Sequence, residues 1–256
     1  ASPNPMLIYD TAAEVDNGAG VLFVYGNYAG DNLNFDAAEE MLQDDGISCA
    51  HVRVMDDCAS APRDRITDRR GIAGDLFVIK VAGAACDAGL SLEEVLRVTE
   101  KARDLTVSIG LATAPGTIPG IDHHNFELGE NEIEYGMGLH GEPGIERTVM
   151  QPADVLTERC YREIKADMSL SSGDEVCLLV NGLGSTTLLE LNIVYRKLAA
   201  LVRGDGLSIH GAEINNFCTC QEMGGFSITV LKLDEELKRY YDAPCYCPYY
   251  AKEAQQ

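Results

Sequence analysis

Short apolar runs alternate with amphipathic stretches along the first hundred residues of the chain. The run at 18–25 is opened by glycines and carries β-branched and aromatic residues, which predicts a buried strand. Residues 34–45 place apolar side chains on one face of a predicted helix, and Gly46 closes it. A second strand is predicted at 48–54 and a nearly apolar, buried helix at 73–88. Because strands and helices alternate, we expect a parallel sheet covered by helices.

This alternation breaks at residues 111–120, which are rich in proline and glycine and therefore predict a domain boundary. Beyond it, a strand predicted at 132–139 runs into a glycine-rich loop. A strand predicted at 175–180 is followed by a glycine turn and by a helix with apolar residues at helical spacing. The second half thus repeats the strand–turn–helix unit, and the chain as a whole predicts an α/β fold.

The charge and the cysteine content of the chain limit the binding partners and the cellular compartment that we expect. Asp and Glu number 41 against 20 Lys and Arg, and the net charge of −21 argues against binding to nucleic acid or to anionic membrane surfaces. No apolar run reaches membrane-spanning length. Nine cysteines, an odd number in a chain of 256 residues, do not suggest a disulfide framework. We therefore expect a protein of the reducing cytoplasm.

The segment Gly136-Met-Gly-Leu-His-Gly-Glu-Pro-Gly144 is the most informative stretch for chemistry. Its histidine, His140, is flanked by Gly138 and Gly141, and glycines allow a ligand to approach the backbone closely. An imidazole displayed in such a loop can be a base, a metal ligand or a nucleophile. From spacing alone, a turn histidine without chemistry is an equally good interpretation.

A carboxylate, Asp31, ends the segment Gly26-Asn-Tyr-Ala-Gly-Asp31 that follows the first predicted strand. Ligands of open α/β sheets bind at the carboxyl ends of strands, so this side chain could accept a proton from a substrate hydroxyl. An aspartate that turns the chain or caps the next helix is the more ordinary interpretation of the segment by itself.

Two further patterns give weak signals. The segment Asn181-Gly-Leu-Gly-Ser-Thr-Thr187 could hold an anion at a helix start, but it lacks the Gly-Lys-Ser/Thr of a phosphate loop. Two Cys-x-Cys pairs, Cys218 with Cys220 and Cys245 with Cys247, have one intervening residue where structural zinc sites usually have two to four. We therefore predict a plain strand-to-helix turn and no metal site.

Together these segments resemble the substrate-binding subunit or domain of dihydroxyacetone kinases, the DhaK type. The matching pieces run in family order along nearly the whole chain, and they include Asn27-Tyr-Ala-Gly-Asp31, Arg69-Arg-Gly-Ile-Ala-Gly74, Gly138-Leu-His-Gly-Glu-Pro-Gly144, Asn181-Gly-Leu-Gly184 and Glu222-Met-Gly-Gly-Phe-Ser227. The resemblance implies two α/β domains with mixed, mostly parallel sheets covered by helices. Residues 1–108 would form the first domain, joined by the tail 237–256, and residues 109–236 the second.

The resemblance also implies an unusual chemistry. His140 would add to the carbonyl of a short ketose such as dihydroxyacetone and hold it as a hemiaminal, and Asp31 would act as base on the hydroxyl that is phosphorylated. Contacts to the substrate are implied at six positions: Gly26, Asn27, Gly30, Gly138, Gly141 and Ser2. No cofactor would bind this chain directly, because the phosphoryl group would come from a nucleotide with Mg²⁺ on a separate helical kinase subunit. That nucleotide would be ATP, or tightly held ADP recharged by a phosphotransferase system. A homo-oligomer is implied by analogy alone.

Two departures from the family pattern bear on activity. A lysine usually precedes the Asn-Tyr-x-Gly-Asp motif, and Gly26 stands there instead. The family's upstream Ser-Gly-His-Glu-Pro stretch is not found, so we expect a first domain incomplete at its N-terminus: a fragment, a chain completed by another polypeptide, or a divergent relative. Two alternatives therefore stay open, a non-catalytic ketose sensor and a kinase component for a larger ketose such as erythrulose, for which Gly26 leaves room.

Overall fold

The computed structural model describes residues 2–253 and contains helices and strands in alternation. In chain order they are α1 Pro5–Val15, β1 Val21–Gly26, α2 Ala29–Asp44, β2 Cys49–Val54, a 3₁₀ helix Arg63–Asp68, α3 Asp75–Asp87, α4 Leu92–Asp104, β3 Thr106–Ala114, β4 Glu132–Tyr135, β5 Glu146–Val149, α5 Ala153–Met168, β6 Glu175–Gly182, α6 Leu188–Gly204, β7 Ser208–Asn215, β8 Gly224–Leu233, α7 Glu235–Asp242, β9 Cys245–Tyr246 and β10 Ala251–Lys252. No helix within this part of the chain combines the length and apolar character needed to cross a membrane.

The strands form two main sheets, which confirms the predicted α/β fold with mixed sheets. β1 and β2 pair in parallel, as the alternation in the first hundred residues predicted. The larger sheet has the order β5-β4-β3-β8-β6-β7, and among its pairings only β6 with β7 is parallel. The expectation of mostly parallel pairing is therefore wrong for this sheet. β8 enters between β3 and β6 and runs antiparallel to both, and a strand buried on both faces carries no sequence signal for its direction.

Helices cover both faces of the larger sheet, and strand β6 shows how the sequence achieves this. Leu178 and Val180 point into the cluster formed with α5 and α6, whereas Cys177 and Leu179 point into the cluster formed with α3, α4 and α7. Successive side chains of a strand point to opposite faces, so a run with no polar break is buried on both sides. Each fully buried leucine contributes about 1.5–3 kcal/mol of transfer free energy.

The helices α3 and α4 also pack on the β1–β2 pair, and they therefore lie next to both sheets. The backbone oxygen of Tyr240, in the tail helix α7, accepts a hydrogen bond of 2.8 Å from the buried amine of Lys80 in α3. The division into residues 1–108 with 237–256 and residues 109–236 stays a prediction. Residues 1 and 254–256, which this division assigns to the first domain, lie outside the part of the chain that the structure describes.

Two element boundaries differ from the sequence prediction at positions that matter for the site. Helix α2 begins at Ala29, five residues earlier than the apolar pattern indicated, so Asp31 lies in the first turn of a helix and not in a loop. Strand β4 ends at Tyr135, because Gly136 adopts a positive φ of 77° and turns the chain. The residues from Gly136 onward are therefore free to form a loop.

A buried ion pair ties the end of β1 to helix α5. The side chain of Arg69 is fully buried, and its guanidinium lies 2.5 Å from Asp167 of α5. Burial opposes ionisation of Asp167, but hydrogen bonds from Arg69 and Arg63 hold the pKa of that carboxyl below its usual range. The backbone oxygen of Arg69 accepts a hydrogen bond of 2.7 Å from the Asn27 side chain, directly after β1.

We predict that Arg69→Met lowers the free energy of unfolding by about 3–5 kcal/mol, because it leaves the Asp167 carboxylate buried without its main partner. Since the pKa of Asp167 is lower in the folded state, the pair stabilises fully above about pH 4, and this contribution is lost as the pH falls further. Urea denaturation at several pH values measures both effects.

The control is Arg162→Met, which removes an exposed arginine paired with Glu158 on the same helix. We expect a much smaller loss there, because exposed ion pairs contribute little. Equal losses for the two variants would contradict the structural role assigned to Arg69.

Candidate functional site

A cleft of about 580 Å³ opens where β1 passes into α2 and faces the loop between β4 and β5. It brings together four of the residues that the sequence singled out. These are Ser2, Gly30, Asp31 and His140, and they share the walls with Tyr28, Ala29, Thr117, Ile118, Pro119, Thr219, Cys220 and Gln221. Its volume falls in the usual range of small-molecule sites.

His140 lies in the β4–β5 loop with its imidazole presented to the cleft, since 55% of the side chain is exposed. Nδ1 lies 3.1 Å from Oε1 of Glu142, and the backbone N–H of His140 donates to Oε2 of the same carboxylate at 2.9 Å. An ionised carboxylate can only accept, so the proton of a neutral ring belongs on Nδ1. Nε2 then keeps its lone pair and is free to act as a nucleophile.

Glu142 is held in the ionised form that this arrangement needs. Its partial burial opposes ionisation, but the hydrogen bonds from His140 lower the pKa of the carboxyl below its usual range. The close approach of Glu142 requires glycine at position 138, because a Cβ there would overlap Oε2 of Glu142 and lie 2.7 Å from Nη1 of Arg70. Gly138 therefore positions Glu142 and does not itself line the cleft.

Arg70 fixes the two ends of the His140 loop. Its guanidinium donates to the backbone oxygens of Gly136 at 2.9 Å and Pro143 at 3.3 Å, and to the carboxylate of Asp57 at 3.0 Å. Asp57 is fully buried just after β2, and burial raises the pKa of its carboxyl to about 6 although Arg70 acts in the opposite direction. The loop is thus anchored to the carboxyl end of the β1–β2 pair.

Two further side chains contact His140, and the glycine that follows it shapes the loop. The ring of Tyr28 meets the imidazole edge to face with centroids 5.0 Å apart. Asn125 donates to the backbone oxygen of His140 at 3.0 Å and lies 3.6 Å from the sulfur of Cys220. Gly141 has a φ of 89° and donates its N–H to Gly138 at 3.3 Å, so it shapes the loop and does not line the cleft.

Asp31 enters the cleft from the first turn of α2. Its half-buried carboxylate has no hydrogen-bond or ion-pair partner among residues 2–253, so both oxygens are available to a ligand. The helix N-terminus stabilises negative charge there. Ser2 packs against the neighbouring Gly30, where its Oγ lies 2.6 Å from the position of an added Cβ.

Gly26 and Asn27 lie behind this wall and do not line the cleft. The Asn27 amide donates to the backbone oxygens of Thr67 at 3.0 Å and Arg69 at 2.7 Å, and its Oδ1 accepts from Asn32 at 2.8 Å. These contacts give Asn27 a part in holding the turn after β1. Whether Gly26, Asn27 or the loop glycines touch a substrate stays a prediction.

Sequence reasoning missed Glu142, Tyr28, Arg70 and Asn125 as parts of the site. Glu142 and Tyr28 lie inside the two motifs already singled out, and a search for the hydrogen-bond partner of each candidate could have found Glu142. Arg70 lies inside the Arg69–Gly74 piece of the resemblance, but its contacts with the ends of the loop, and the contact of Asn125 with His140, are tertiary contacts that no local pattern identifies.

Cys220 lines the cleft, whereas the group of potential metal ligands does not. All nine cysteines are free. Within residues 2–253 one group of possible ligands comes together, Asp36, Glu39 and His51, but His51 already pairs with Glu39 at 2.8 Å and Asp36 with Arg53 at 2.5 Å. The prediction that no metal binds stays a prediction.

Comparison with known proteins places this geometry in a family. The family model of the Dak1 domain matches residues 1–249. The chain is 43% identical over 249 residues to PTS-dependent dihydroxyacetone kinase 2, dihydroxyacetone-binding subunit DhaK, of Listeria innocua, a match covering 97% of this chain and 75% of that protein. It is 40% identical over 256 residues to an L-erythrulose kinase of Pectobacterium atrosepticum, covering 98% of this chain but 43% of that protein.

A solved structure extends the likeness to three dimensions. The dihydroxyacetone kinase operon co-activator Dha-DhaQ superposes with a TM-score of 0.88 at 27% identity, over 94% of this chain and 75% of that chain. The resemblance inferred from the motifs is confirmed by these matches, which run over nearly the whole length: this chain belongs to the Dak1 domain family.

Proposed function

We propose that this chain is the ketose-binding component of a dihydroxyacetone-type kinase, with His140 as covalent anchor and Asp31 as base. The observation that carries the proposal is the setting of His140: Glu142 occupies Nδ1, which leaves Nε2 as the free nitrogen of a residue that lines the same cleft as Asp31. The names of the relatives support it, since one is the dihydroxyacetone-binding subunit of a kinase and another is an erythrulose kinase.

In the proposed first step, the lone pair of Nε2 forms a bond to the carbonyl carbon of the ketose. The electrons of the C=O π bond move to the oxygen, which takes a proton from water. The Nδ1 proton leaves through Glu142 and neutralises the hydroxide that remains, so the product is a neutral hemiaminal. Positive charge develops on the ring as the bond forms, and the Glu142 carboxylate 3.1 Å from Nδ1 stabilises it. A polyol of the same size, such as glycerol, has no carbonyl and cannot form this bond.

In the proposed second step, the carboxylate of Asp31 accepts the proton of the terminal hydroxyl, whose oxygen bonds to the γ-phosphorus of ATP. The bond from that phosphorus to the β-phosphate oxygen breaks, and ADP is the leaving group. The family resemblance implies that the nucleotide is bound with Mg²⁺ on a helical partner subunit, either as ATP or as held ADP that a phosphotransferase system recharges. With the ketose held covalently, the rate of transfer depends chiefly on positioning and charge neutralisation. A homo-oligomer and a cytoplasmic location, in keeping with nine free thiols, complete the proposal.

A second candidate is a ketose sensor without kinase activity. The likeness to an operon co-activator favours it, because the folds superpose closely. The identity of 43% to a kinase subunit against 27% to the co-activator, and the free carboxylate of Asp31 in the cleft, favour the enzyme. Both candidates form the same hemiaminal, so only phosphoryl transfer separates them.

We predict that His140→Ala abolishes covalent ketose binding. Adding dihydroxyacetone labelled with ¹³C at its carbonyl to the wild-type protein should produce a hemiaminal carbon signal in the NMR spectrum. The variant should produce none, because no other imidazole lines the cleft within the described residues. His123→Ala, at an exposed loop histidine, is the matched control and should bind like the wild type. A hemiaminal signal in His140→Ala would refute the assignment.

We predict that Glu142→Gln weakens hemiaminal formation about 10- to 100-fold, since a charge-assisted hydrogen bond to the ring is lost. An amide can donate as well as accept, so it no longer fixes the proton on Nδ1. The ¹⁵N shifts of the His140 ring should change from one tautomer to a mixture. An unchanged tautomer together with weakened binding would show that Glu142 acts only through the loop structure.

We predict that Asp31→Asn keeps the hemiaminal but lowers phosphoryl transfer by about 100- to 10,000-fold, the usual contribution of a general base. The assay is ³¹P NMR of the phosphorylated ketose, with the nucleotide-loaded helical subunit of a related kinase as partner. Wild-type protein that binds the ketose and transfers no phosphate would favour the sensor. Full activity of the variant would contradict the role of Asp31.

A further inference from the structure

Large apolar side chains gather at the surface in two places, and one of them is formed by helices α5 and α6. The side chains there lie on these helices or within four residues of their first turns, and each is 42–75% exposed: Val149, Met150, Val155, Leu188, Leu189 and Ile193. We call this surface the α5–α6 face. The second place is on α1 and α2, with Met6, Leu7, Val15 and Leu33. A cluster of exposed apolar residues indicates a surface that another molecule covers.

Helix α6 places its most exposed apolar residues along one line of its outer face. Leu189, Ile193 and Arg196 follow each other at spacings of four and three residues, so they lie on the same side of the helix. The core residues Leu191 and Leu198 lie on the opposite side, packed against the large sheet. The packing of α6 on its own sheet is therefore complete without Leu189 and Ile193.

Ion pairs join the two helices beside this line. Arg196 pairs with Asp154 of α5, and the exposed Val155 follows Asp154 directly in the chain. Lys197 lies 3.0 Å from Glu158, one turn further along α5. The apolar residues of the α5–α6 face are thus bordered by charges that already have partners. An apolar centre with a polar rim is the usual composition of a protein–protein interface.

The charges of the α5–α6 face nearly cancel, although the molecule as a whole is strongly acidic. The two helices carry six Lys and Arg and five Asp and Glu, a net charge of +1, whereas the whole chain carries −21. Residues 1–52, which contain the other apolar cluster, have nine Asp and Glu and no Lys or Arg. Two copies of this chain therefore repel each other strongly at the α1–α2 cluster and least at the α5–α6 face.

We propose that the α5–α6 face binds a second copy of this chain across a twofold axis, with Leu189 and Ile193 at the centre of the contact. A twofold interface brings the same surface of both copies together, so a face with an apolar centre and balanced charges is complementary to itself. The six apolar residues of the face, all in the described chain, are separate from the residues that line the cleft. The proposal rests on one part of the proposed function, the homo-oligomer, and gives that oligomer its interface.

Sedimentation velocity of the full chain over a range of protein concentrations tests the proposal. We expect the wild type to sediment as a dimer. The double variant Leu189→Asp with Ile193→Asp should sediment as a monomer, with a dissociation constant raised at least about 100-fold, because both copies lose the apolar centre and would bury carboxylates without partners. Leu189→Met keeps an apolar side chain of similar volume and should remain a dimer.

Two controls separate the interface from folding and from charge. Leu33→Asp introduces the same carboxylate at a leucine of the other apolar cluster, 71% exposed, and should leave the dimer intact. All the variants should melt at the temperature of the wild type, because the replaced side chains are exposed. Raising the salt concentration from about 0.05 M to about 0.5 M should strengthen the dimer, since salt screens the repulsion between two acidic molecules. A dimer weakened by salt would depend on opposite charges and would contradict an apolar contact.

The outcomes also distinguish this inference from the proposed function. If the double variant remains a dimer, or if Leu33→Asp becomes a monomer, the second copy binds elsewhere, so the assignment of the α5–α6 face is overturned and the homo-oligomer stands. If the wild type is a monomer at every concentration, the assignment and the homo-oligomer fail together. Ketose binding at His140 is measured separately by ¹³C NMR of the hemiaminal, and its failure would leave the dimer interface standing.

Discussion

The carboxylate of Glu142 is the contact on which the candidate chemistry depends. One oxygen accepts from the backbone N–H of His140 and the other from Nδ1 of the ring, so a single side chain fixes both the loop and the tautomer. A histidine on a surface loop would otherwise sample both tautomers and several orientations. With Nδ1 engaged, Nε2 is the ring nitrogen left for a ligand, and His140 lines the cleft. The reactivity of the site therefore comes from an acceptor two residues along the chain.

The surroundings of this contact show why the loop needs so much support from the rest of the fold. Arg70 holds both ends of the loop and anchors them to Asp57 after β2, while Arg69 ties the same segment to Asp167 in α5. The adjacent residues Arg69 and Arg70 thus point to different parts of the protein: Arg70 contacts the loop of the site, and Arg69 contacts helix α5. The loop is positioned by buried charges that cannot move without losing their partners.

The buried acids of this region differ in whether they have a partner. The acids Asp57 and Asp167 are paired with arginines, whereas the carboxyl of Asp75 is left without any partner in the described chain. An unpaired buried polar group weakens a fold, because it loses its hydrogen bonds to water without replacing them.

The sequence by itself determined the α/β class, most helices and buried strands, and the two motifs that carry His140 and Asp31. These are local properties, set by the spacing of apolar residues and by glycines next to polar side chains. It did not determine the antiparallel course of β8, the early start of α2, or the parts played by Arg70 and Asn125. Those depend on which distant segments meet, and a pattern of apolar residues buried on both faces is the same for every such arrangement. Only the tertiary structure decided that Glu142 pairs with His140, whereas the carboxylate of Asp31, in the same cleft as that histidine, is free.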